Sequence, residues 1–243
     1  MPYLSAPSVE QLKDLGLQHL YTGKVRDIYE VNDEQLLLVA SDRMSAYDVV
    51  MSEDIPEKGA VLNGISAYWF NETKHIIDNH VISTDVTDFP FPGAGELLRA
   101  RSVLAKKSVP IKLEAIVRGY MFGHGYEEYA ETGQVHGYEF APGLKLSERL
   151  PNAIFTPTTK AEEGHDENVS IEEAIAIEGK NVYNFVRDAS IALYEFGAKK
   201  SNEAGILLAD TKFEFGFRAN SDGALSHGES ANSIDDIILI DEV

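Results

Sequence analysis

Tyr21-Thr22-Gly23-Lys24-Val25-Arg26-Asp27-Ile28-Tyr29-Glu30-Val31 is the stretch on which the fold reading turns. Val25, Ile28, Tyr29 and Val31 favour a strand, Asn32-Asp33 marks a turn, and residues 35–40 read as a second, more buried strand. The pair is a hairpin that opens a β-rich N-terminal region. Ahead of it, Val9, Leu12, Leu15 and Leu20 behind an N-cap at Ser8 predict a short helix over residues 9–20.

Working outward, the spacing of Leu62, Ile65, Trp69, Phe70, Ile76 and Ile77 predicts a helix over 62–78, and the Pro- and Gly-containing run 85–95 is a connection. Residues 102–118 suggest two strands joined around Pro110. Helical periodicity returns at 170–178 and at 182–196, the latter through Val182, Phe185, Val186, Ala189, Leu193 and Phe196. Strands are expected at 206–209, 212–217 and 237–240, with a long polar loop or loose hairpin at 218–236. The class is therefore α+β. A β-rich N-terminal domain over 1–113 and a larger α/β domain over 114–243 divide the chain.

Composition excludes several functions. The 243 residues hold 40 acidic against 21 basic side chains, a formal charge of −19, and no cysteine. Without cysteine there is no disulfide framework, Cys-ligated zinc site or thiol nucleophile. The acidic balance disfavours nucleic acid and anionic membrane as partners. No apolar run is long enough to span a bilayer, and residues 1–10 lack the flank and apolar stretch of a signal peptide, so cytoplasm is the expected compartment. If the ligand is phosphorylated, the few cations must be concentrated locally. Walker, Rossmann, zincin and α/β-hydrolase signatures are absent.

Five segments interrupt apolar strands with polar groups. Gly23-Lys24-Val25-Arg26 places a glycine at a strand entrance, and strand alternation would send Lys24 and Arg26 from one face, suited to a polyphosphate or equally to solvent. Ser41-Asp42-Arg43-Met44-Ser45-Ala46-Tyr47-Asp48 follows a buried strand, a place for a ligand site or a turn cap. Arg118 ends the strand Leu113-Glu114-Ala115-Ile116-Val117, where a guanidinium suits carboxylate or phosphate, or an internal ion pair with Glu114. Residues 156–168, with Lys160, His165 and Asp166, form a polar loop in which Asp166 and Asn168 also fit as starters of the next helix. In Asp210-Thr211-Lys212-Phe213-Glu214-Phe215-Gly216, alternation puts Asp210, Lys212 and Glu214 on one face and Phe213 and Phe215 on the other. With Asp241 on the last strand, such residues suit Mg²⁺ and phosphate, or a solvated outer face.

Taken in order, GKVRDIYEV, SDRMSAYDVV, EAIVRGY, TPTTKAEEGHDEN, LADTKFEFG and ILIDEV resemble the SAICAR synthetase family from Tyr21 to Val243, nearly the whole chain. The resemblance implies an ATP-binding core similar to those of protein kinases and ATP-grasp enzymes. It further implies an ATP-dependent ligase that joins L-aspartate to the carboxylate of carboxyaminoimidazole ribonucleotide through an acyl phosphate, in purine biosynthesis. Residue by residue, Gly23, Lys24 and Arg26 would contact ATP phosphates, Glu214 and Asp241 would hold Mg²⁺, and Lys212, Lys160 and Asp166 would be catalytic. Arg118, His165, Ser41, Asp42 and Arg43 would bind substrate. ATP and Mg²⁺ are thus the expected co-substrate and metal, small molecules the expected partners, and a monomer the expected state.

The resemblance also implies a continuation past Val243 carrying Asp-Ser-Ser-Arg and C-terminal helices, a Ser in place of His124, and a shorter segment at 218–236. Two other readings stay open: a kinase-like phosphotransferase, and a nucleotide-binding module with impaired catalysis.

Overall fold

A computed structural model describes residues 5–46, 49–93, 95–159, 169–218 and 233–242. The described residues form two compact units, the first up to Glu72 and over Asn79–Ser108, the second over Thr73–Asp78 and from Val109 onward.

In the first unit, α1 (Val9–Lys13) is capped by Ser8, whose side chain accepts the Gln11 N–H while the Gln11 side chain answers the Ser8 N–H. The helix stops well short of Leu20. Gly16 adopts φ +82°, a conformation glycine takes without strain, and the chain turns into β1 (Gln18–Thr22). β2 (Arg26–Glu30) and β3 (Gln35–Ala40) realise the expected hairpin, with Arg26 opposite Ala40. A short hairpin, β4 (Ser45–Ala46) and β5 (Val49–Val50), precedes α2 (Lys58–Glu72). β6 (Val81–Ser83), α3 (Gly95–Leu98) and β7 (Ser102–Lys106) follow.

The sheet order is β1-β2-β3-β7-β6, with antiparallel neighbours throughout. Its core gathers Leu12, Tyr29, Leu37, Val39, Phe89, Leu98 and Leu104. The predicted helix over 62–78 is displaced, starting at Lys58 and ending at Glu72. Leu62 and Ile65 are exposed, and Ile76 and Ile77 lie in a turn bonded back to the Thr73 carbonyl, so an apolar spacing that resembled one helix spans two structures.

The second unit begins its strands with β8 (Ser108–Pro110) and β9 (Leu113–Tyr120), so 102–118 holds three strands, not two. α4 (His124–Thr132) and the small hairpin β10 (Gln134–Val135) and β11 (Tyr138–Glu139) follow, then β12 (Arg149–Phe155) and β13 (Thr158–Thr159). α5 (Ile171–Glu178) and α6 (Lys180–Glu203) fall where periodicity places helices. The cap of α5 is Ser170, in a reciprocal box with Glu173, rather than Asp166 or Asn168. β14 (Asp210–Arg218) and β15 (Ile237–Asp241) complete the set. The strand expected at 206–209 is absent: Ile206 and Leu207 are exposed, and pairing begins only at Asp210.

The sheet runs β12-β9-β14-β15, with β13 also on β9 and β8 on β14. One face is apolar and packs on α6, where Phe155 meets the Tyr183 ring edge-on at 5.7 Å. Gly119 is required by close approach: a Cβ there would lie 1.8 Å from the Tyr194 hydroxyl oxygen. Most of the loop expected at 218–236 lies outside the described residues. Its end is a short 3-10 turn, Ile234–Asp236, capped by Ser233.

Candidate active site

Gly23, Lys24 and Val25 form the turn between β1 and β2, and of the two cations only Arg26 lies within the strand. The alternation expected to pair Lys24 with Arg26 therefore does not reach back to Lys24. Gly23 is crowded rather than left-handed: a Cβ would sit 3.0 Å from the Arg26 carbonyl oxygen and 3.4 Å from the Tyr21 ring. The Gly23 N–H donates to the Arg26 carbonyl at 2.8 Å, closing the turn.

Ser41 and Arg43 hold the rest of it. Ser41 donates both its N–H and its Oγ–H to the Val25 carbonyl, each at 2.9 Å. Arg43 donates Nη2–H to the Gly23 carbonyl at 3.1 Å and Nε–H to the Lys24 carbonyl at 3.3 Å. The same guanidinium grips Asp27 through two bonds of 3.1 Å. That fork explains how a carboxylate comes to sit on the buried face of β2 beside Tyr29. Burial, reinforced by the Asp27 charge and opposed by Arg43, pushes the Tyr29 phenol up to about 12.

Asp42 faces the other way, toward Gly59 and Arg101. It has no exposed surface. One carboxylate oxygen accepts the Gly59 N–H at 2.9 Å and an Arg101 N–H at 3.2 Å, and the other accepts from Arg101 at 3.4 Å. The Asp42 carboxylate thus anchors the first turn of α2, favoured there by the helix dipole. Ser41, Asp42 and Arg43, expected as substrate ligands, are each hydrogen-bonded to groups within the first unit.

In the second unit the charged residues fall on the face of the sheet opposite α6. Arg118 and Asp210 are cross-strand partners and form an ion pair at 3.2 Å, and Arg118 also donates to Thr156 Oγ1 at 3.1 Å. The internal partner of Arg118 is therefore Asp210, not Glu114. Glu114 is instead the buried partner of Lys212, whose Nζ lies 2.7 Å from its Oε1. Lys212 stands opposite Ile116, so this is a diagonal pair one step along the same face. Thr158, opposite Glu114 on β13, donates to its second oxygen at 3.4 Å.

Two residues beyond Lys212, Glu214 stands directly opposite Asp241, because a bulge at Ile240 shifts the register between them and the next pair, Phe215 with Leu239. Like charges facing across a ladder repel, and a cation between them relieves this. Among the described residues no cluster of three or more metal-ligating side chains forms. A pair suits Mg²⁺, which is commonly held by one or two carboxylates with substrate phosphates completing its shell.

A match to the SAICAR synthetase family covers residues 19–243. The chain is 51% identical over 204 residues to the phosphoribosylaminoimidazole-succinocarboxamide synthase of Citrifermentans bemidjiense, covering 83% of this chain and 69% of that one. It superposes on a SAICAR synthase from Saccharomyces cerevisiae solved in complex with SAICAR, with TM-score 0.78 and 40% identity, covering 93% of this chain and 73% of that one. The chain belongs to the SAICAR synthetase family. Its fold is also shared by a type-2 SAICAR synthetase complexed with ADP, at TM-score 0.68 and 21% identity, covering 92% of this chain and 79% of that one.

The structure adds Glu114, Thr156 and Thr158 to the face that carries Arg118, Asp210 and Lys212. Glu114 and Asp210 could be found from the alternation of β9 and β14, whereas their partners needed the strand order. Lys160, His165 and Asp166 lie outside the described residues. His124, at the first position of α4, is exposed and contacts Glu127 at 2.9 Å through Nδ1.

Proposed function

We propose that this chain joins L-aspartate to the carboxylate of carboxyaminoimidazole ribonucleotide at the expense of ATP, the reaction of its family, with the following division of labour. The observation that carries it is the row Lys212, Glu214 and Asp241 on one sheet face, with Glu114 behind Lys212. A carboxylate is a poor electrophile, and transfer of the ATP γ-phosphoryl group to one of its oxygens makes an acyl phosphate and releases ADP. The aspartate amine then attacks the acyl carbon, phosphate leaves, and the amine gives up a proton.

Lys212, oriented by Glu114, stabilises charge on the transferring phosphoryl group. Glu214 and Asp241 would hold Mg²⁺, which when bound neutralises charge on the ATP phosphates. In the first unit, the Gly23–Arg26 turn presents Lys24 and Arg26 to phosphate. Arg118, held by Thr156 and Asp210, is assigned to the ribonucleotide. Lys160, His165 and Asp166 are assigned to the loop that shields the acyl phosphate from water, with Lys160 and Asp166 participating in the chemistry. We assign the reaction to the cytoplasm. Among the described residues no helix is long and apolar enough to cross a membrane.

The test is ADP release from Mg²⁺-ATP and carboxyaminoimidazole ribonucleotide with and without L-aspartate. Aspartate-dependent release is expected. Release indifferent to aspartate would mean a phosphotransferase, and ATP binding without release a nucleotide-binding module.

A further inference from the structure

The geometry points to Arg43, supported by Ser41, as the positioning residue that sets the nucleotide-binding turn Gly23–Arg26, acting on its main chain and not on the substrate. The inference rests on the assignment of that turn to ATP phosphates and deepens it.

An anion is bound by a turn through the positive ends of its peptide dipoles, so the carbonyl oxygens must be directed away from the anion. In this turn all four carbonyls have donors from the same unit. Gly23 and Lys24 are held by Arg43, Val25 by the N–H and hydroxyl of Ser41, and Arg26 by the Gly23 N–H. The face left toward a phosphate therefore carries no carbonyl oxygen lacking a donor.

Arg43 achieves this because one planar guanidinium has donors pointing in several fixed directions. Two carbonyls and both oxygens of Asp27 are served at once. A lysine ammonium cannot span that set. Asp27 in turn fixes the guanidinium plane from β2, and the side chain of Arg43 is about a quarter exposed, so most of its surface is committed inward. Neighbouring Asp42 is tied to Gly59 and Arg101, which fixes the segment from which Ser41 and Arg43 project. Ser41 and Arg43 are thus bonded to the turn, and Asp42 between them to the interior.

The role separates from a merely structural one through kinetics. In Arg43→Lys the turn keeps a cation beside Asp27 but loses the fork, and the KM for ATP is expected to rise by about tenfold, the equivalent of one or two main-chain hydrogen bonds. The KM for aspartate should stay within about twofold, and kcat at saturating ATP within about threefold. Because Arg43 neutralises a mostly buried carboxylate, Arg43→Gln is made together with Asp27→Asn, which keeps the pair neutral and is expected to raise the KM for ATP at least as far with cooperative unfolding retained. Direct binding of ATP, followed by titration calorimetry without the other substrates, is the parallel readout.

If the wild type binds ATP and both variants bind it equally well, the positioning role is overturned. If they weaken ATP and aspartate alike, Arg43 supports the unit generally and the proposal again fails. If the wild type itself binds no ATP, it is the assignment of the turn to nucleotide that fails.

Discussion

The Gly23–Arg26 turn and the charged face of β9, β14 and β15 both concentrate charge in a strongly acidic chain, and they hold it by opposite means. In the turn, the main chain is the object being positioned, and two neighbouring residues, Arg43 and Ser41, do most of the holding. On the sheet face the main chain is already fixed by its ladder. There the side chains are positioned by one another, Arg118 by Asp210 and Lys212 by Glu114. A site that must cradle an anion needs peptide dipoles in a defined orientation, whereas a site that must meet developing charge needs cations at defined points. The two regions should therefore fail in different ways when altered.

The sharpest break is expected at Asp42. Asp42→Ala leaves Arg101 buried without its carboxylate and frees the first turn of α2, at a cost of about 3–5 kcal/mol in unfolding free energy. Chemical denaturation monitored by the Trp69 fluorescence checks this, and a loss under 1 kcal/mol would mean that Asp42 is not the anchor described.

On the other side of the comparison, Lys212→Met should lower aspartate-dependent turnover by about 10²–10³-fold. It should also destabilise the second unit, because Glu114 remains buried. Adding Glu114→Gln should restore stability without restoring turnover. Recovery of both would show that Lys212 serves only to satisfy Glu114.

Legibility in the sequence divides along the same line. Alternation in β14 identified which residues share a face, because a two-residue period is a property of the strand alone. It could not identify partners, since Glu114 and Lys212 are 98 positions apart and meet only through the β9–β14 register. The hairpin of β2 and β3 was readable from local propensity. The partners of Ser41-Asp42-Arg43 were not, because polar residues after a buried strand look the same whether they face a ligand or a carbonyl. The helix at α2 was misplaced since its start depends on Asp42, 17 residues upstream. Its end falls at a turn that happens to continue the apolar spacing. The cap of α5 was present as Ser170 and Glu173, a spacing that outranks the acidic residues before it.

A smaller effect is expected at Gly23. Gly23→Ala pushes a methyl against the Arg26 carbonyl, and the KM for ATP should rise by roughly five- to tenfold, for a strain on the order of 1 kcal/mol, with kcat little changed. The smallest is a pH effect. Because the Tyr29 phenol is raised from 10.0 to about 12, the folded state holds its proton more tightly than the unfolded one. The stability so gained is full below pH 10 and is lost as pH rises toward 12. Tyr29→Phe should flatten that alkaline decline in urea midpoints, and an unchanged slope would assign it to other groups.

The most direct test of the account is the ATP dependence of aspartate-dependent ADP release in Gly23→Ala and Lys212→Met, measured side by side with the wild type. The account predicts a split: Gly23→Ala raises the KM for ATP at near-normal kcat, and Lys212→Met loses kcat with the KM for ATP changed by no more than about threefold. A raised KM in Lys212→Met at normal kcat, or a collapsed kcat in Gly23→Ala, would contradict the assignment of orientation to the turn and chemistry to the sheet.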